Sequence, residues 1–162
     1  MKNKKTLLIT QGGLIAAIYV VITVLCEPFS FGEVQLRISE CLMVLPIFTP
    51  AAVPGLFLGC LIANLICGAP IWDVIFGSLA TLIGVIFTRK LRDKNMIVAL
   101  LPPVISNALI IPFLLKYAYG VPLPVPFMML TVGAGEAVSA GVFGFLLGKL
   151  LEKHKKTIFG LD

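Results

Sequence analysis

The chain has 162 residues, 59% of them hydrophobic and 13% charged, with a mean hydropathy of +1.05. A soluble domain of this size buries only about 70% of the surface its unfolded chain exposes, so this much apolar side chain would be left facing water, and lipid must be the solvent for most of it. The same figures exclude intrinsic disorder, a disulfide-rich secreted scaffold and a nucleic-acid-binding module.

The net charge of +5 is topological. Eleven of the 13 cations fall in three groups: Lys2, Lys4 and Lys5; Arg89, Lys90, Arg92 and Lys94; and Lys149, Lys153, Lys155 and Lys156. Apolar stretches separate the groups, as expected if all three lie on the cytoplasmic side of a bilayer. Arg37 and Lys116 are left for the outer side.

The first apolar stretch, 6–26, is long enough as a helix to cross the roughly 30 Å hydrocarbon core. Its basic start resembles a signal peptide, but no small-x-small cleavage site precedes Glu27 and Pro28, so it is expected to stay as the first helix. A second helix, 38–49, meets Pro46 and Pro50, and with Pro54 these force a turn before a third at 53–67. The region also reads as one kinked or re-entrant element. A fourth helix at 71–88 ends at the basic loop, a fifth spans 96–117, and a sixth runs from 127 to 151 after the loop GVPLPVPF. The expected protein is thus an all-α integral membrane bundle, a single unit over 1–162, with six crossings and both termini cytoplasmic.

Small residues recur four apart in Gly55, Gly59 and Ala63, in Gly133, Ala137 and Gly141, and in Ala140, Gly144 and Gly148. Such ridges let helices approach closely, within the chain or against a partner. Gly12 with Ala16, and Gly13 with Ala17, form similar pairs on the first helix.

No catalytic set is expected. The single histidine, His154, lies in the tail, and Cys26, Cys41, Cys60 and Cys67 lack both C-x-x-C spacing and histidine companions, so neither a triad nor a metal site is indicated. The segment GFLLGKL lacks the spacing, hydroxyl residue and preceding strand of a phosphate loop. No cofactor is called for, and any pumping must draw on an ion gradient or another subunit.

The informative residues are polar ones at membrane depth. Glu27, Glu33, Glu40, Asp73 and Glu136 belong to the outer half or the interior, which suits a cationic or donor-rich guest. Glu136 falls roughly 14 Å into the sixth helix, where an ionisable group costs on the order of 2.5 kcal/mol or more and marks a ligand path or a buried pair. Asn107 and Asn64, on the fifth and third helices, are placed to join it in a pocket; interhelical hydrogen bonding is the alternative for all three. The first outer loop carries Phe29, Phe31, Gln35, Arg37, Ser39 and Glu40 and is long for a mere turn. Arg37 and Glu40 are spaced to pair with each other. Trp72 and Asp73 open the fourth helix, either as interface anchor and cap or as ligand contacts.

The runs GEVQLRISECLMVLPIFTP (32–50), GLFLGCLIANL (55–65), WDVIFGSLATLIG (72–84), PPVISNALI (102–110) and VGAGEAVSAGVFG (132–144) together resemble the QueT family. Those proteins are substrate-binding S components of energy-coupling factor (ECF) transporters, assigned to uptake of queuosine precursors. The resemblance implies a six-helix S-component bundle with an outward-opening site, docked on a membrane-embedded coupling subunit with two ATPases. It also implies that the small residues Gly12, Gly13, Ala16 and Ala17 contact the coupling subunit.

The implied ligand is a 7-deazaguanine such as 7-aminomethyl-7-deazaguanine, the nitrile base or queuine. Its ring N–H and exocyclic amine are two donors that a carboxylate accepts together; Glu136 or Glu40 fits that edge. Asn107, Asn64, Gln35 or Arg37 supplies a donor to the carbonyl, Asp73 or Glu40 meets an ammonium arm, and Trp72, Phe29 or Phe31 stacks on the ring. The competing expectation is a stand-alone carrier for a small cationic or donor-rich solute, driven by protons through Glu136. A membrane enzyme is disfavoured because no nucleophile has a base within reach.

Overall fold

The computed structural model describes residues 4–26 and 37–159, and these fold into helices joined by short turns. In chain order they are α1 (Lys4–Leu25), α2 (Ile38–Ile47), α3 (Ala52–Ile66), α4 (Ile71–Lys90), α5 (Met96–Tyr117) and a long composite α6. The last is α-helical over Val125–Glu136, π-helical over Ala137–Phe143 and α-helical again over Gly144–Phe159. The fifth expected helix agrees with α5 to the residue. The sixth is longer than expected, because Pro124 and Pro126 are accommodated at its start, where missing N–H donors cost nothing, and because it runs on to Phe159.

Among the described residues, four helices are long and apolar enough to cross a membrane: Lys4–Leu25, Ile71–Lys90, Met96–Tyr117 and Val125–Lys155. The other two are shorter. α2 has 10 residues and α3 has 15, so at about 2.0 and 1.5 Å per residue they cover roughly two thirds and three quarters of the hydrocarbon thickness.

Where a regular second helix was expected over 38–49, α2 is a 3-10 helix with Pro46 in its final turn. Its end is closed from outside. The Arg89 guanidinium donates to the carbonyls of Pro46 and Ile47 at 2.9 and 3.2 Å, groups that the helix itself leaves unpaired. Thr49 Oγ1 donates to Gln11 Oε1 of α1 at 2.9 Å, and Phe159 stacks on Phe48 with centroids 5.4 Å apart. Three elements therefore hold this turn.

The bundle is apolar outside and polar within. Ile9, Leu25 and Leu130 are exposed, as are many other large apolar residues on every long helix, whereas Glu40, Asn64, Asp73, Asn107 and Glu136 are buried. That inversion is what lipid as solvent requires.

Close backbone approach joins α1 to α3. A Cβ on Gly55 would lie 2.7 Å from Gly12 O, and one on Gly59 would lie 2.9 Å from Tyr19 Cβ. This ridge of small residues thus packs within the chain. On α6, Gly144 and Gly148 face Cys41, Leu100, Val44 and Met96, whereas Gly141 has open space beside it.

Candidate functional site

Along the bundle, the end formed by the close of α1, the start of α2, the α3–α4 turn and the C-terminal half of α5 lies opposite the basic turn at 91–95. Thr49 and Thr88 are buried near the basic turn, but the buried ionisable residues Arg37, Glu40, Asp73 and Glu136 lie away from it. α1 contributes Tyr19 and Thr23, which share its inward stripe with Ile15 and Ala16. The Tyr19 hydroxyl donates to Glu40 Oε1, and Thr23 Oγ1 donates to Ser39 Oγ at 2.7 Å. The first helix thereby fixes the orientation of α2, and with it the carboxyl group of Glu40.

Opposite Glu40, Asn107 Nδ2 donates to Glu136 Oε1 at 2.9 Å across the α5–α6 contact. The Asn107 amide also interacts with Glu40. Glu40 and Glu136 are near enough to act on each other electrostatically. Each keeps one buried carboxylate oxygen, Oε2, without a hydrogen-bond partner among the described residues, and so does Ser139 Oγ one turn further along α6. Such atoms are costly in a low-dielectric interior unless something else meets them. The π-helical stretch starts immediately after Glu136, and π-bulges in otherwise α-helical segments occur frequently at functional sites.

A second group adjoins the first. Arg37 Nη2 lies 3.5 Å from Asp73 Oδ2, both side chains almost fully buried, and it acts electrostatically on Glu40 and Glu136 as well. The Tyr119 hydroxyl donates to the same Asp73 oxygen at 2.5 Å. Tyr119 belongs to the turn beyond α5, where burial, and then the Asp73 carboxylate, hold its phenol well above the usual tyrosine range, so it stays a donor. Asn64 Nδ2 donates to the Asp73 backbone carbonyl at 3.3 Å, tying α3 to α4. Thr81 Oγ1 reaches the buried Cys60 sulfur at 3.4 Å.

Of the residues singled out in the sequence, Arg37, Glu40, Asn64, Asp73, Asn107 and Glu136 come together. The expected local pairing of Arg37 with Glu40 gives way to an ion pair with Asp73 across the bundle, because Glu40 is turned to α1 by Tyr19. Glu136 and Asn107 do form the interhelical bond that was the alternative for them, with one Glu136 oxygen left over. Trp72 does not join the group. It is 58% exposed, stacks on Phe76 and lines a groove of about 530 Å³ on the outside with Leu109, Phe113 and Tyr117, since neighbours on a helix point about 100° apart. Phe29, Phe31 and Gln35 lie outside the described residues. Ser39, named with the first outer loop, meets Thr23; Tyr19, Tyr119 and Ser139 were missed. Only Tyr19 and Thr23 carried a sequence signal, as hydroxyls four apart on an apolar helix.

The four small residues of α1 divide between two faces. Gly12 and Ala16 pack against α3, while Gly13 and Ala17 are exposed. Beside them a groove of about 380 Å³ runs between α1 and the start of α3, floored by Gly12, Ala51 and Gly55.

A lipid-facing apolar shell around a buried, charged interior defines a multi-pass membrane protein of the kind that handles a small polar solute. The family model for the QueT transporter matches residues 9–153, and the chain belongs to that family. It is 32% identical over 96 residues to the "Queuosine precursor transporter QueT" of Lactococcus lactis subsp. cremoris (strain MG1363). That alignment covers 58% of this chain, which spans only a little over half of the relative, 56% of its length. No solved structure matches the chain.

Proposed function

We propose that the chain is the substrate-binding S component of an ECF-type importer for a queuosine precursor, a 7-deazaguanine such as 7-aminomethyl-7-deazaguanine. Family membership and the name of the Lactococcus lactis relative support the substrate class. Six helices cross the membrane in this reading, α2 and α3 as a short pair, and both termini are cytoplasmic with the basic clusters. A membrane-embedded coupling subunit and two ATPases supply the energy, and the exposed Gly13 and Ala17 are offered to the coupling subunit.

The observation that carries the reading is the buried Glu136 carboxylate, with one oxygen on Asn107 and the other bare. Oε1 accepts the ring N–H beside its existing bond, since a carboxylate oxygen has two acceptor sites, and the bare oxygen accepts the exocyclic amine. The Asn107 amide then lies on the side of the ring carbonyl, and its second N–H turns from Glu40 to that oxygen when the guest binds. Phe29, Phe31 and Gln35 remain candidates for stacking and hydrogen bonding from the first outer loop.

Calorimetry on the detergent-purified chain tests this. Glu136→Gln places an amide donor against the ligand's own donors, a mismatch worth about 1 to 3 kcal/mol, so affinity falls roughly tenfold to a hundredfold. Unchanged affinity removes Glu136 from the site. In proteoliposomes the chain alone binds without uptake; uptake without ATPase subunits would instead establish the stand-alone proton-coupled carrier.

A further inference from the structure

Within the polar group, charge is unevenly matched. Arg37 is the cation among its described members, against three carboxyl groups: Glu40, Asp73 and Glu136. Its guanidinium sits on Asp73 at 3.5 Å, where Tyr119 also donates. Glu40 and Glu136, which lie near each other, are hydrogen-bonded by neutral groups, Tyr19 and Asn107 at Glu40 and Asn107 at Glu136, while Arg37, which acts on both electrostatically, makes its ion pair with Asp73. Each leaves Oε2 bare at 3% exposure or less, and Ser139 Oγ, also buried and without a partner, lies one helical turn from Glu136. Two neighbouring carboxyl groups with neutral partners in a low-dielectric interior are best satisfied by a positive charge placed between them.

Resting on the uptake reading above, we infer that the site selects a cationic guest and that Glu40 seats its ammonium arm, while Glu136 reads the edge of the ring. Asp73 does not take that role, since its Oδ2 is already shared by Arg37 and Tyr119 and its Oδ1, although also without a partner, is turned against Gly77 of its own helix. Glu40 has a bare oxygen and no cation within ion-pair distance among the described residues, and α2 carries it across from the ring-reading pair on α5 and α6. An alkyl ammonium stays charged at neutral pH, so 7-aminomethyl-7-deazaguanine brings the missing positive charge. The nitrile analogue has the same ring edge but no charge and no N–H on its arm.

The test is calorimetric titration of the purified full chain with both compounds, repeated in Glu40→Gln and Glu136→Gln. The wild-type chain binds the aminomethyl base more tightly than the nitrile by about tenfold or more, well within the discrimination reached by sites built to hydrogen-bond a polar group. Glu40→Gln removes that preference by weakening the aminomethyl base alone, leaving the nitrile within about twofold. Glu136→Gln weakens both. Equal wild-type affinities overturn charge selection while leaving the uptake reading intact. Parallel losses for both ligands in Glu40→Gln overturn the assignment of the arm to Glu40. Binding of neither compound by the wild-type chain overturns the uptake reading, and this inference with it. The wild-type comparison requires no variant to fold.

Discussion

At the residue scale, Arg37 and Asp73 carry the heaviest structural load, because each is buried and neither can turn to water. Removing one partner of a buried ion pair leaves the other uncompensated, at a cost of about 3 to 5 kcal/mol. Arg37→Ala is therefore expected to lower the melting temperature in detergent sharply, while Arg37→Lys, which keeps the charge, loses less. An Arg37→Ala chain melting like wild type would mean that Asp73 does not depend on it. Tyr119 presents the opposite case. It sits in a turn rather than a helix and is only partly buried, yet its hydroxyl is 2.5 Å from Asp73. Tyr119→Phe deletes one hydrogen bond to a charged group, worth about 1.5 to 3 kcal/mol. Hydrogen exchange at 118–124 should rise in that variant; exchange like wild type would show that the turn is held by its backbone bonds alone.

At the scale of elements, α2 is where sequence and structure part. Prolines at 46, 50 and 54 marked a break and a turn, and that is where the chain turns. They carried no sign that the run would wind as a 3-10 helix, because that depends on Arg89 reaching its last carbonyls from 43 and 42 residues away. Arg89→Ala strips those carbonyls of their donor and should destabilise the chain by about 1 to 3 kcal/mol, read as a lowered melting temperature; an unchanged value would assign the cap to solvent. The α1–α3 contact was legible, since Gly55 and Gly59 stand four apart, but which neighbour they faced was not. Gly59→Val would drive methyl groups into Tyr19 and the backbone of Ala16. Because Tyr19 in turn holds Glu40, that change is expected to weaken ligand binding as well as folding, whereas the exposed Gly13→Ala should leave binding in the isolated chain unaltered.

At the scale of the whole molecule, hydropathy and the three basic clusters made the membrane class legible, and ionisable residues in apolar stretches made Glu136 and its neighbours stand out. Asn107 and Glu136 are 29 residues apart, and Arg37 and Asp73 are 36 apart. Their pairing is set by how six elements pack, which no local pattern encodes. Trp72 shows the converse: next to Asp73 in sequence, it points outward while Asp73 points in. The most direct trial of the account is a structure of the full chain bound to 7-aminomethyl-7-deazaguanine. The ring should lie between α2, α5 and α6 with its donor edge about 3 Å from Glu136 and its ammonium at Glu40. A ligand seated instead in the outer groove beside Trp72 and Phe113, with the buried carboxylates untouched, would contradict it.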